Sequence, residues 1–322
     1  MTNLFCFLIT VVVILTYTWT FALRKYMFRL LLAALVAFLC TQPVLAEYDS
    51  VNEARNDLST GLMWDTFCIG GAGALPNQMT FGTGFLLSRE FPPDDPRLKN
   101  DPTTRDVFLV TAAHVLEGIS GDTAIIQFRD RQDNGDWKAL PVKVPIRKGG
   151  VPMWTRNADS KIDIAVMRLL LNPEVVKRLQ KNIVILPTSL LADDALLTKF
   201  HLHPGMTLFA LGFPLRVASN DAGFPILRSG TIASYPILPT KKYKTFYFDF
   251  EVFGGNSGGP VFLSVDNPAL PNGMMLGRLQ AIVGLVTQQM SFANNGSTES
   301  LKIGVVITST LIKETIDSLP PG

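Results

Sequence analysis

The apolar positions of this chain follow two regimes. From residue 79 onward they come as short runs of β-branched and aromatic residues, broken every few positions by Gly, Pro, Asn or Asp. The runs Phe81 to Leu87, Val107 to Thr111, Thr123 to Phe128, Leu140 to Ile146 and Ile162 to Leu169 form a first group. Met206 to Leu211, Ile226 to Ser234, Thr245 to Phe250, Val261 to Leu263, Ala281 to Thr287 and Ile303 to Thr308 form a second. Many short strands at this spacing predict an all-β sandwich or barrels. Two stretches read as helix. Asn172-Pro173-Glu174 places a cap, a first-turn Pro and an acid ahead of a helix reaching about Gln180. Ser309 caps another over residues 310–319, whose Leu311, Ile312, Ile316 and Leu319 share one face, ended by Pro320-Pro321. Phe91 to Pro96, rich in Pro and Asp, reads as a loop.

Ahead of residue 47 the pattern is different. Leu4 to Leu23 is long enough to span a bilayer, which takes about 20 apolar residues. Met27 to Ala46 reads as a secretory signal peptide. Arg29 opens it, Leu30 to Leu39 is its apolar segment, and the small residues Val44 and Ala46 fit a cleavage site. Two readings of residues 1–26 stay open: a mis-assigned start, or a membrane anchor over residues 4–23 with Arg24 and Lys25 on the cytoplasmic side. The expectation is a leader over residues 1–46 and a folded domain over 47–322. That domain is expected to be exported, periplasmic or extracellular, and membrane-bound only if residues 4–23 are retained.

Composition narrows the function classes. Hydrophobic residues make up 47% and charged residues 17%, which implies a folded core and excludes wholesale disorder. The formal charge of +2 belongs to the leader, whose three basic residues leave 26 basic against 27 acidic in the remainder. A near-neutral body has no electrostatic footprint for nucleic acid. The short clusters Arg129-Asp130-Arg131 and Lys241-Lys242-Tyr243-Lys244 read as solvated loops. Cys6 and Cys40 lie in the leader, so Cys68 is the one cysteine left to the body and no intrachain disulfide is expected. Cys68 reads as a small buried hydrophobe or an intermolecular link.

Three segments carry chemistry. Gly254-Gly255-Asn256-Ser257-Gly258-Gly259-Pro260 sets a serine among residues that reach backbone angles closed to others. Its hydroxyl can stand exposed on a tight turn, and the Gly255 and Ser257 amides can point into one space where negative charge develops. A glycine-rich turn shares the pattern, but average Gly and Pro frequencies give it a chance of on the order of once in 10⁵ positions. Thr111-Ala112-Ala113-His114 ends a strand run in an imidazole, the base a weak serine nucleophile needs. His201 and His203 stand in a loop, with no Cys, Asp or Glu beside them to complete a metal site. Lys161-Ile162-Asp163-Ile164 puts an acid at the mouth of an apolar strand. Taken singly, His114 reads as a structural histidine and Asp163 as a strand-start residue.

Taken together, the order His114, Asp163, Ser257, with gaps of 49 and 94 residues, resembles the trypsin/chymotrypsin-like serine proteases. The resemblance covers roughly residues 79 to 318. It extends to Gly82-Thr83-Gly84-Phe85, to Leu208 through Pro214 and to Arg228 through Ser234. The disulfide-free body is similar to the bacterial branch, such as Htr-type proteases without their peptide-binding domain. The resemblance implies two six-stranded antiparallel β-barrels, about residues 79–170 and 195–308, with a C-terminal helix and a site between the barrels. It implies a His114–Asp163–Ser257 triad, an oxyanion hole of the Gly255 and Ser257 amides, a protein or peptide substrate, and no metal or organic cofactor. Glu251, six residues before Ser257, stands where trypsin-like preference for a basic residue uses an acid. The strand through Leu285, Val286 and Thr287 is expected to wall the specificity pocket and to favour a small or apolar residue. Asn256 replaces the aspartate that animal members pair with a new N-terminus, so activation by that ion pair is not expected. A silent protease-fold binding protein and an esterase remain the rivals, although an esterase elbow places its histidine last in the chain.

Overall fold

Period-2 alternation gives each strand one apolar face, and short turns bring successive strands side by side. The computed structural model describes residues 57–75, 77–91, 94–99, 105–179, 183–266, 278–294 and 297–320. The leader expected over residues 1–46 lies outside them. A helix α1 (Leu58–Asp65) comes first, capped by Asp57, whose carboxylate accepts the Thr60 amide at 2.9 Å. The first lobe follows as β1 (Thr66–Ala72), β2 (Met79–Glu90), β3 (Arg105–Thr111), β4 (Thr123–Arg131), β5 (Trp137–Pro145), the short β6 (Arg147–Lys148), β7 (Val151–Pro152) and β8 (Thr155–Arg156), then β9 (Ala165–Arg168) and β10 (Leu186–Pro187). A one-turn helix α2 (Ala113–Glu117) interrupts it after β3. The second lobe has β11 (Thr207–Gly212), β12 (Ile226–Ile232), β13 (Thr245–Asp249), β14 (Pro260–Asp266), β15 (Arg278–Asn294) and β16 (Ser297–Thr308). Helix α3 (Pro173–Leu179) lies between β9 and β10, α4 (Asp194–Lys199) precedes β11, and α5 (Ser309–Asp317) follows β16.

The all-β, two-lobed architecture expected from the sequence is present. The second lobe is a closed six-stranded barrel in the order β11-β12-β13-β16-β15-β14. The first is an eight-stranded sheet ordered β5-β4-β1-β2-β3-β9-β8, with β10 parallel beside β2; among the described residues β5 and β8 do not pair to close it. This lobe begins at Thr66, ahead of the expected residue 79. The cap at Asn172 holds, its Oδ1 accepting the Glu174 amide at 2.9 Å. Helix α5 starts one residue early, and Ser309 donates to the Ala192 carbonyl at 2.6 Å instead of capping.

Phe85, Phe108 and Phe128 are fully buried in the first lobe and Phe248 in the second. Each such side chain contributes about 1.5–3 kcal/mol. Leu211, Phe262 and Leu285 of the second lobe, with Leu311, Ile312 and Ile316 of α5, join the first core, so the lobes share one apolar seam. One charged segment departs from expectation. Arg129 is not in a solvated loop: it points inward from β4 at 3% exposure. It donates to the carbonyls of Trp64, Thr66 and Gly223 at 2.6, 2.9 and 2.8 Å. The rings of Phe67 and Phe224 flank its guanidinium at 4.7 and 4.5 Å. Burial pulls its pKa down to about 9, against the raising effect of Asp65, and burial pushes Asp65 well up.

Candidate active site

His114 stands where β3 gives way to α2. Ala112 and Ala113, both fully buried, let the chain turn tightly there and leave the imidazole half-exposed at the rim. Asp163 precedes β9 in a loop folded by its own polar groups, with the Lys161 amide on Asp159 Oδ1 at 3.0 Å. The two meet in two places. The His114 amide donates to Asp163 Oδ1 at 3.0 Å, and Nδ1 lies 2.6 Å from Oδ2. Thr287 Oγ1 donates to the same Oδ2 at 2.6 Å. Burial raises the Asp163 pKa, but the bonds from the His114 ring, Thr287 and the His114 amide outweigh it and hold the carboxyl at about 2. An ionised Asp163 has no proton to give, so His114 Nδ1 is the donor in this contact.

Ser257 immediately follows a turn closed by the Asn256 amide on the Phe253 carbonyl at 3.0 Å. Gly255 takes the third position of that turn at φ +99°, the left-handed angle a type II turn requires. Its environment also demands glycine, since a Cβ would lie 2.2 Å from the Phe213 carbonyl oxygen. Gly258, at φ +87°, would drive a Cβ to 2.1 Å from the Thr83 carbonyl. Among the described residues the Gly255 and Ser257 amides carry no hydrogen bond within the protein. The Ser257 hydroxyl donates to the Thr287 carbonyl at 2.8 Å. Asn256 is buried, and its Nδ2 has no partner among the described residues.

The turn is fastened to both lobes. Thr83, in β2, donates its amide to the Ser257 carbonyl at 2.8 Å and its hydroxyl to the Gly255 carbonyl at 2.6 Å. The same hydroxyl accepts the Phe213 amide at 3.2 Å. Leu215 donates to the Gly254 carbonyl at 2.7 Å, and Val286 exchanges bonds with Gly258 and Gly259 at 2.7 and 2.9 Å.

The fold thus brings together His114, Asp163, Ser257, Gly255 and Thr287. Leu285 and Val286 are both fully buried, one in each core cluster, because alternating side chains on a strand face opposite sides. Thr287 serves the Asp163 carboxylate. Glu251 is half-buried with its carboxylate 3.7 Å from Lys302 Nζ, and its carbonyl accepts from Arg228 at 2.6 Å. His201 and His203 lie exposed around the end of α4. Thr83 and Phe213 carry no local signal of their role, since their partners lie far along the chain.

The fold is two-lobed and β-rich, and Thr287 links the imidazole–carboxylate pair to the glycine-bounded serine, its hydroxyl on Asp163 and its carbonyl on Ser257. The model of the trypsin-like peptidase domain matches residues 82–267, more than half of the chain, and the protein belongs to that family. Membership supports a protease role on protein or peptide substrates. No curated protein matches the chain. Among solved structures, it is similar to the protease Anisep from Arthrobacter nicotinovorans at 14% identity, with 79% of this chain and 94% of that one covered and a TM-score of 0.43. It is also similar to the thermostable serine protease AL20 from an extremophilic microorganism at 12% identity, 80% and 96% coverage and a TM-score of 0.43.

Proposed function

We propose that the protein is a serine endopeptidase using His114, Asp163 and Ser257 as its triad and the Gly255 and Ser257 amides as its oxyanion hole. The observation that carries this reading is the 2.6 Å contact between His114 Nδ1 and Asp163 Oδ2 in a trypsin-like peptidase family member. Substrate binding frees the Ser257 hydroxyl from the Thr287 carbonyl, and it turns toward His114 Nε2. Oγ attacks the scissile carbonyl carbon as its proton passes to Nε2, and the carbonyl electron pair moves to the oxygen, where the two amides hold the charge. Collapse of that adduct breaks the C–N bond, and Nε2–H protonates the leaving amine. Water then repeats the sequence on the acyl-enzyme, with His114 again taking and returning the proton. Asp163 stays ionised throughout and stabilises the imidazolium.

A second reading, a silent binding protein with the protease fold, draws on the rest position of Ser257 Oγ at the Thr287 carbonyl. Fluorophosphonate labelling decides between them. Labelling at Ser257, abolished by Ser257→Ala and His114→Ala, supports the endopeptidase. Unlabelled, folded protein between pH 6 and 9 refutes it. We further propose export, with residues 27–46 as the signal. A mature N-terminus at Glu47 supports release, and intact chain retained in the cytoplasm refutes it.

A further inference from the structure

A recess of about 230 Å³ opens beside the proposed site, between the outer face of the first lobe and the segment 213–223. Cys68, Met79, Ile125 and Ala139 form one side, Phe213 and Ala218 the other. The surroundings are apolar yet open. Met79 and Ile125 are 47% and 39% exposed, and on the neighbouring segment Leu215 and Val217 are 65% and 52% exposed. Single exposed apolar side chains are ordinary, but several gathered around a recess mark a binding surface. The rim carries one charge of each sign, Arg216 and Asp221, so its selectivity rests on the apolar walls.

The segment is held in one shape. Leu215 and Arg216 both adopt left-handed angles, φ +51° and +66°, which non-glycine residues avoid unless their surroundings impose them. At one end Leu215 is tied to Gly254 in the nucleophile turn. At the other the Gly223 carbonyl is tied to buried Arg129. Such a wall needs little ordering when a ligand arrives. The recess also adjoins the cleft: Phe213 lines it, and the carbonyl of Phe213 packs against Gly255. A chain lying across Ser257 and Gly255 therefore runs past its mouth, and its volume suits one large apolar side chain.

The geometry points to this recess as a second anchoring site for the polypeptide substrate, accepting a side chain such as Leu, Met or Phe at some distance from the scissile bond. The inference rests on the endopeptidase reading. Its test is digestion of a synthetic library of 14-residue peptides by the purified protein, read by mass spectrometry. The expected result is about tenfold enrichment of Leu, Ile, Met or Phe over Ser at one position, fixed in distance from the cut and not adjacent to it. Ala139→Trp, which fills the recess from an exposed position, and Ile125→Ser, which makes its wall polar, should each reduce the enrichment below twofold. A flat profile in the wild type, or the same enrichment in both variants, overturns the anchoring site. So does a dimer in size-exclusion chromatography that Ala139→Trp dissociates, because a second copy then fills the recess. Labelling of wild-type Ser257 by fluorophosphonate separates the failures: a labelled enzyme with a flat profile loses only the anchoring site, and an unlabelled one loses the endopeptidase reading.

Discussion

Replacing Thr83 by Val keeps the shape of a fully buried side chain and removes one hydroxyl. That hydroxyl joins the two lobes at the nucleophile turn, donating to the Gly255 carbonyl at 2.6 Å and accepting the Phe213 amide at 3.2 Å. Gly255 and Phe213 are themselves buried, so water does not replace the lost partner. An orphaned buried polar group costs about 1–3 kcal/mol, and the longer Phe213 bond falls at the low end of that range. The expected loss is therefore about 2–4 kcal/mol, measured as a shift in the urea unfolding midpoint. The second consequence is chemical. With its carbonyl released, Gly255 no longer holds its amide toward the proposed oxyanion position. Complete loss of one such donor costs roughly 10²–10³ in rate. A partial loss predicts at least a tenfold fall in the fluorophosphonate labelling rate of the folded variant. Thr83→Ser keeps the hydroxyl and should restore most of that rate. Unchanged stability would show that the carbonyl does not depend on Thr83. A loss of stability with labelling inside twofold of wild type would refute the link between this anchor and the oxyanion hole.

Other residues give sharper or simpler outcomes. Gly258→Ala sets a Cβ 2.1 Å from the Thr83 carbonyl at φ +87°, and it should abolish soluble folded protein; a melting temperature within 2 °C of wild type would contradict this packing. Asp163, held at about 2 against an ordinary value of 3.8, contributes stability that is present above about pH 4 and lost as pH falls toward 2. That contribution is about 2 kcal/mol, and the pH dependence of urea unfolding should lose it in Asp163→Asn; identical curves would refute it. Thr287→Val removes one bond to the same carboxylate, so the Asp163 pKa should rise and this acid-linked difference shrink, with kcat/KM falling several-fold. Arg129→Met strips three carbonyls of their donor and should cost about 3–5 kcal/mol in urea unfolding, an expectation that a loss below 1 kcal/mol would defeat.

Much of the second lobe was legible in the sequence because period-2 alternation and turn residues are local properties, and all six of its strand runs are strands. The glycine-bounded serine was legible for the same reason, since the left-handed angles at Gly255 and Gly258 are demanded within a few residues. Strand β1 was missed because Gly70 and Gly71 break the apolar run that would announce it. Its place is set by pairing with β2 and β4. Arg129 looked like surface because its partners come from Trp64, Thr66 and Gly223, none of them near it in the chain. Leu285, Val286 and Thr287 lie on the expected strand, but their surroundings were not legible: Leu285 and Val286 are buried in opposite core clusters and Thr287 bonds Asp163. Alternation says only that neighbours face opposite ways, and the placement of the barrels decides which way is inside. Composition and local pattern determined the class of fold and three chemically able side chains. Only the tertiary structure decided which groups Asp163, Thr83 and Thr287 touch, because those bonds join residues 49 to 172 positions apart, and those of Thr83 and Thr287 exist only once both lobes have closed on one another.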